Sequence, residues 1–361
     1  MKKIYAYNHQ PIYFDFKQSS DRFYVEEIPL FKFTNRGSNL ILKIKKSNIS
    51  TFKLITVLAK ATNLEYRDIG YAGLKDKNAT TIQYISIPKK YEKEILSNLT
   101  SQKIEILEKS YNRFPIKIGN LKGNRFSIIL NRVTPKANIN IRAVALQMQK
   151  EGIPNYYGYQ RFGKESKSYK QGKEIAHSGK RLRGAKEKLL VSAYQSYLFN
   201  QWLSNRVSIS KTINNNTLKK ASELLSFPKE LIVALARQKN FFKLFIGDDM
   251  KAYPYGKSYP LQDFNISTQA FLNREESPTG LICGGKVDRS MSDARYLEEK
   301  YDDQELYSLK GDRRYAWVWP EDLVFHYNET KRELRMQFYL PKGSYATTFL
   351  EEIAKRDLIT K

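Results

Sequence analysis

Cysteine is nearly missing from this sequence: Cys283 is the single one in 361 residues, which excludes an intrachain disulfide and a cysteine-based zinc cluster. Histidine is almost as scarce, and His9, His177 and His326 stand too far apart to suggest a His-based metal site or a Ser–His triad. No apolar run approaches the ~20 residues of a membrane-spanning helix. The opening residues Met1 to Tyr5 lead into polar His9 and Gln10, so no signal-peptide core develops. A Gly-rich phosphate loop followed by Lys-Ser/Thr, a dinucleotide fingerprint, His-Glu-x-x-His and Gly-x-Ser-x-Gly are also absent. What remains for chemistry is carboxylates, lysines and tyrosines. A cytoplasmic protein is the simplest reading.

Acidic charge is in short supply, and the reverse of that shortage is the loudest signal. Sixty-two Lys and Arg against 37 Asp and Glu give a net charge of +25, which implies a polyanionic partner. The 25 tyrosines and 19 phenylalanines tilt the choice toward RNA, because exposed rings stack on unpaired bases. Most of those rings must nevertheless be core. The excess of base is concentrated in residues 156–190, where ten Lys/Arg, among them Arg161, Lys164, Lys167, Lys170 and Lys173, meet three acids. Their spacing gives no apolar stripe, so this stretch is a solvated or RNA-facing surface. It also suggests a domain boundary near residue 156.

Periodicity supplies the elements. Phe23–Ile28 and Asn39–Lys45 read as strands, and Ser50 caps a helix carrying Phe52, Ile55, Leu58 and Ala59. Further strands are expected at Thr81–Ile87, Lys103–Leu107 and Arg125–Leu130, with a helix over about Ile139–Lys150. An amphipathic helix runs from Lys186 to Arg206. Leu334, Met336, Phe338 and Leu340 alternate with polar neighbours as in a half-buried strand, and a last helix follows from Tyr345 to about Lys355. The acid pairs Asp248-Asp249 and Asp302-Asp303 are the only hint of a metal-dependent nuclease, and they read as solvated turns.

Asp76 is the carboxylate best placed for catalysis. It sits between Lys75 and Lys77 on a loop joining strands, where catalytic groups often lie. The flanking cations favour its ionised form, which suits a nucleophile or base. Local sequence alone equally allows an ordinary solvated turn.

The segment Gly70-Tyr71-Ala72-Gly73-Leu74-Lys75-Asp76-Lys77-Asn78-Ala79-Thr80-Thr81-Ile82-Gln83 resembles the catalytic motif of the TruD family of pseudouridine synthases. Four more segments follow that family's order: Asp21–Pro29, Gly123–Phe126, Pro154–Gly163 and Leu340–Thr348. Pro278-Thr279-Gly280 and Gly311–Arg314 fit as well. The resemblance implies an α+β protein whose catalytic domain has a mixed, largely antiparallel sheet, interrupted by an α/β insertion (TRUD) domain. The expected limits are 1–155 and 312–361 for the catalytic domain and 156–311 for the insertion. It also implies isomerisation of uridine to pseudouridine in tRNA, typically uridine 13 of the D arm, by a monomer needing no metal or other cofactor. Asp76 would be the essential carboxylate. Phe23, Asn124 and Tyr345 would contact the target nucleotide, Phe126 would lie against its base, and Lys17 would pair with Asp76. Where the family often has Phe, Tyr345 keeps a ring and adds a hydroxyl. Each residue has a plainer reading: core rings for Phe23 and Phe126, a turn for Asn124, packing or a hinge for Asn155–Gly163. A non-catalytic RNA-binding protein or tRNA-folding chaperone on the same fold is the competing function.

Overall fold

The computed structural model describes residues 3–99, 101–163 and 167–358; Lys164, one of the expected RNA contacts, lies outside them. In chain order the first elements are β1 (Phe23–Pro29), β2 (Asn39–Ser47), α1 (Thr51–Thr62), β3 (Gly70–Tyr71), β4 (Thr80–Pro88), α2 (Glu92–Asn98), β5 (Ile104–Asn112), β6 (Leu121–Leu130) and α3 (Pro135–Glu151). There follow β7 (Ile153–Pro154), α4 (Ser168–Ala176), α5 (Gly184–Asn215), α6 (Leu218–Leu225), α7 (Lys229–Arg237), β8 (Asp249–Ala252), β9 (Ser258–Pro260), α8 (Phe264–Leu272) and β10 (Glu276–Ile282). The last are α9 (Ser292–Glu298), β11 (Asp312–Tyr315), β12 (Trp317–Val318), β13 (Glu321–Asn328), β14 (Glu333–Pro341) and α10 (Ala346–Ala354). The chain is α+β. It forms two compact units: a sheet unit of residues 12–146 and 320–343, and a helical unit of residues 3–11, 147–319 and 344–358.

In the sheet unit the strand order is β13-β14-β6-β1-β4-β2-β5, with β3 also on β4. Only the β1–β4 pairing is parallel; the rest are antiparallel. Alternation decides which residues reach the core. On β14, Leu334, Met336, Phe338 and Leu340 are all buried, as the sequence pattern predicts. On β2, Leu40, Leu42 and Ile44 face inward against Leu54, Ile55, Leu58 and Ala59 of α1. Ser50 starts that helix by accepting a hydrogen bond from Lys53 N at 3.2 Å, and Asn63 ends it in the left-handed region. The next inward position on β2 is Lys46, a fully buried cation in an otherwise apolar row. Strand β13, beside β14, closes the edge of the sheet; its Leu323, Phe325 and Tyr327 are half-buried and alternate with exposed Asp322, Val324, His326 and Asn328.

In the helical unit, α5 runs for 32 residues, beginning near the expected start and continuing nine residues beyond the expected Arg206. It buries Tyr194, Leu198, Phe199, Trp202 and Leu203. A second sheet, ordered β11-β10-β8-β9, lies against it. The glycine of Pro278-Thr279-Gly280 has a steric reason: a Cβ there would come within 2.2 Å of the Trp202 ring.

The paired acids are not solvated turns. Asp248 is buried and receives two hydrogen bonds from Arg206 of α5, at 2.6 and 2.8 Å. Asp249, also buried, lies 3.4 Å from Arg313 and accepts from Thr279. Asp302 meets Arg289 at 3.2 Å and Arg295 at 2.8 Å, while Asp303 accepts from Tyr194 at 2.7 Å. Buried carboxylates need such partners. The arginines come from outside the turns that carry the acids, so the doublets themselves do not reveal them. Among the described residues no group of three or more His, Cys, Asp or Glu side chains is placed to hold a metal, and no helix is long and apolar enough to cross a membrane.

Candidate active site

Strand register puts the sheet-unit candidates on one face. Val25 pairs with Thr81 on β4 and with Phe126 on β6; Glu27 pairs with Asn124, which faces Leu340; Phe126 faces Phe338. Lys46 pairs with Thr81 and Ile44 with Gln83. Cross-strand partners share a face, so Phe23, Glu27, Asn124, Phe126, Lys46 and Gln83 all point to the side on which α1 packs.

Asp76 lies on the loop between β3 and β4, as its sequence context suggests. Several ties fix that loop. Lys75 N donates to Thr51 Oγ1 at 2.9 Å, at the start of α1, and Thr51 Oγ1 donates to Gln83 Oε1 at 3.1 Å. The Lys75 ammonium lies 2.7 Å from Glu27 Oε2, an ion pair whose side chains are 6% and 1% exposed. Glu27 Oε1 accepts from Tyr84 N at 3.3 Å. Lys46 Nζ donates to Ile49 O at 2.7 Å and to the main-chain carbonyl of Asp76 at 3.3 Å.

The charge state of Asp76 departs from the sequence expectation. Burial pushes its carboxyl above the ordinary aspartate range, and a hydrogen bond from Gln18 and the charges of Lys46 and Lys75 oppose that without reversing it. Flanking lysines alone therefore mislead: Lys75 is turned to Glu27, and Lys77 is exposed. Burial also pulls the Lys46 ammonium down to about 8, against the favourable charge of Asp76. The arrangement is a carboxyl of raised proton affinity beside a cation of lowered affinity.

Phe23 and Phe126 are 2% and 6% exposed. They belong to a row of rings, Phe16–Phe23–Phe126–Phe338, with successive centroids 5.9, 6.1 and 5.4 Å apart. Asn124 is half-buried, and its Oδ1 is buried without a hydrogen-bond partner, which leaves an acceptor unused. Gln83 Nε2 and Thr81 Oγ1 on the same face are likewise unpartnered. Lys17 is exposed, and its charge acts on Asp21; the lysines whose charges act on Asp76 are Lys46 and Lys75. Sequence reasoning gave no role to Lys46, Glu27, Gln18, Thr51 or Gln83. A signal for Lys46 was present: it continues the Leu40, Leu42, Ile44 alternation with a charge.

Residues 2–180 and 272–353 match the family model described as tRNA pseudouridine synthase D (TruD). The chain belongs to the TruD family. It is 44% identical over 359 residues to a Nitratiruptor tRNA pseudouridine synthase D, covering 99% of each chain. With the Wolinella succinogenes protein of the same name it shares 41% identity over 360 residues, again 99% of each. A solved structure titled putative tRNA pseudouridine synthase D (TruD) from Methanosarcina mazei superposes with a TM-score of 0.64 at 19% identity, covering 99% of this chain and 97% of that one, and so supports the fold.

Several TruD-like segments of this chain have residues in the helical unit. Tyr345 immediately precedes α10, and its ring is 6.0 Å from that of Tyr157. The Arg314 guanidinium stacks 4.0 Å from the Tyr157 ring and donates to Asn155 O and Oδ1. Asn200 of α5 clamps the Tyr157 main chain, and a Cβ on Gly158 would come within 2.9 Å of Tyr345 Cδ1. The Asn155–Gly163 segment is thus a packed junction. Arg161 takes part in it, donating to Ser196 Oγ at 3.0 Å and to Ser192. Lys167, Lys170 and Lys173 are exposed, the last two on one face of α4.

Proposed function

We propose that this TruD-family chain is a tRNA pseudouridine synthase with Asp76 as its catalytic carboxylate and uridine 13 of the D arm as its target. The observation that carries the reading is the Asp76 loop itself: a half-buried carboxyl of raised proton affinity, held by the Glu27–Lys75 pair and by Lys46, on a face that offers the unused amide oxygen of Asn124. The names of the full-length relatives support the same substrate class.

The reaction breaks the C1′–N1 bond of uridine, turns the base, and joins C1′ to C5. The C5 hydrogen leaves as a proton and N1 gains one, so the change is an isomerisation that imports no atom. Asp76 supplies the negative charge that a C1′ centre of oxocarbenium character requires, whether by attack at C1′ or as a base at C2′. Its raised proton affinity makes the ionised carboxylate a stronger base. Extruding the target from its stack costs a few kcal/mol. In the sheet unit Phe23 and Phe126 back the site as a buried apolar wall and Asn124 provides an acceptor; Tyr345 is a further ring for the nucleotide, and the exposed ammonium of Lys17 and the lysines of α4 meet phosphates. On this reading residues 156–311 are the TRUD insertion into a catalytic domain of 1–155 and 312–361, and the enzyme works as a cytoplasmic monomer without a cofactor. The unmatched stretch 181–271 falls inside that insertion.

Tritium release from a tRNA transcript carrying 5-³H-uridine tests the proposal, with Asp76→Asn in parallel and a transcript with cytidine at position 13 to locate the target. Release by the wild type alone, abolished by the cytidine, is the expected result. A wild type that binds a panel of tRNAs but releases no tritium overturns the enzyme reading in favour of a non-catalytic RNA-binding protein.

A further inference from the structure

The helical unit contains a pocket of about 840 Å³ unconnected with any residue discussed as catalytic. It lies between the end of α4, the start of α5 and the segment 304–310. Its apolar floor is Leu182, Val191 and Leu309. Its charged lining is Lys180, Arg181, Lys188 and Lys310, against the single acid Glu305.

Those four cations differ from the arginines held deeper in the same unit. Arg161 is hydrogen-bonded to serines of α5, and Arg289, Arg295 and Arg313 are taken up by buried carboxylates. No salt bridge holds Lys180, Arg181, Lys188 or Lys310 among the described residues, and all four are exposed. Holding like charges around one concavity is unfavourable without an anion, and it focuses positive potential there. An apolar floor beneath a cationic rim suits a sugar–phosphate unit, which pairs an anionic group with a weakly polar one. Several of the lining residues, Arg181, Leu182, Lys188 and Val191 among them, fall in the stretch 181–271 that the TruD family model does not match. The rest of the lining, Ala176, Gly179, Lys180 and the residues from Gln304 to Lys310, lies within the matched part, so the pocket sits at its border and away from the Asp76 motif.

We propose that this pocket is a second RNA-holding site, which takes a phosphodiester of the substrate away from the reacting uridine. Lys180, Arg181, Lys188 and Lys310 neutralise the phosphate charge, and Leu182 and Leu309 receive the adjoining ribose. The proposal rests on RNA being the substrate but not on Asp76 chemistry. Its signature is counterion release: each phosphate neutralised contributes about one unit to the slope of log affinity against log salt.

The test compares wild type, Lys180→Gln/Arg181→Gln and a control pair of equal charge change, Lys219→Gln/Lys229→Gln. Full tRNA transcripts are titrated at several salt concentrations, and tritium release is followed on the full tRNA and on a short hairpin containing only the target arm. The pocket variant is expected to lose about one unit of salt slope and about ten-fold in tRNA affinity at physiological salt. Its KM for full tRNA rises while kcat, and turnover of the hairpin, stay at wild-type values. The control pair stays near wild type throughout. A pocket variant indistinguishable from the control overturns the proposal. So does an unchanged tRNA affinity combined with loss of calorimetric binding of inorganic phosphate or uridine monophosphate, because the occupant is then a free anion. If wild type releases no tritium but the salt-slope difference persists, the synthase reading fails and this one stands.

Discussion

Asp302 in the helical unit and Asp76 in the sheet unit are both drawn out of water beside two cationic side chains, yet their carboxyls shift in opposite directions. Burial pushes Asp302 up, but direct hydrogen bonds from Arg289, Cys283 and Arg295 outweigh it and hold the carboxyl below the usual range. Burial pushes Asp76 up as well, and there it prevails. The difference is where the cations point. Arg289 and Arg295 address the Asp302 oxygens themselves; Lys75 addresses Glu27, and Lys46 addresses main-chain carbonyls. A carboxylate fixed by a guanidinium fork is a structural element. A carboxyl whose neighbouring ammonium groups are engaged elsewhere keeps its oxygens available for a substrate.

The largest expected effect separates these two acids outright. Asp76→Asn lowers tritium release at least about a thousand-fold, whereas Asp302→Asn leaves kcat unchanged and lowers the melting temperature. Stability tells the same story with opposite sign. Folding favours the protonated form of Asp76, so stability is lost as pH rises from the ordinary aspartate range through the raised pKa, and it stays lower above that. Asp76→Asn is therefore expected to melt no lower than wild type at pH 7 to 8, and a clear drop in melting temperature there would refute this account of the site.

Next in size are the buried ion pairs. Arg206→Met strands Asp248 in the helical unit, and Lys75→Met strands Glu27 in the sheet unit; each is expected to cost about 3 kcal/mol in denaturant unfolding. Assayed well below its melting point, Arg206→Met keeps its kcat and Lys75→Met does not, because only the second releases the Asp76 loop. Equal kcat losses would erase the distinction between scaffold and site. Lys46→Met has a subtler consequence: removing a cation raises the Asp76 carboxyl further, so the acid limb of the pH–rate profile moves to higher pH while the plateau above it survives. The smallest effect is expected at Tyr345, where Tyr345→Phe changes kcat/KM within about two-fold, as loss of one hydroxyl interaction would.

The sequence made some of this visible and concealed the rest for physical reasons. Alternating strands such as β14 were legible because one buried face imposes a period of two, and the helix on α5 was legible from its apolar face. The edge strand β13 was not, since its row of Leu323, Phe325 and Tyr327 is only half-buried and Val324 on the exposed face blurs the period of two. Asp76 stood out as a loop carboxylate between lysines, but local sequence shows neither its desolvation nor that Lys75 is turned toward a glutamate 48 positions earlier in the chain. The acid doublets were misjudged for the same cause: the side chains that neutralise them come from other elements. Lys46 was the missed clue, a charge in register with three buried aliphatic residues.

The chain changes unit four times before α10, and this interleaving has a consequence for synthesis on the ribosome. Strand β14 lies between β6 and β13, so the edge of β6 that carries Phe126 and Asn124 stays uncovered until residues 333–341 have been made, long after 147–319. The helical unit likewise awaits α10, whose buried residues are among its last. Neither unit can close early, so a prematurely released chain presents an open strand edge and two unfinished cores to chaperones and proteases. The order of the polypeptide thus acts as a proofreading of completeness: the face bearing Asn124 and Phe126 is finished only after nearly the whole chain has been read.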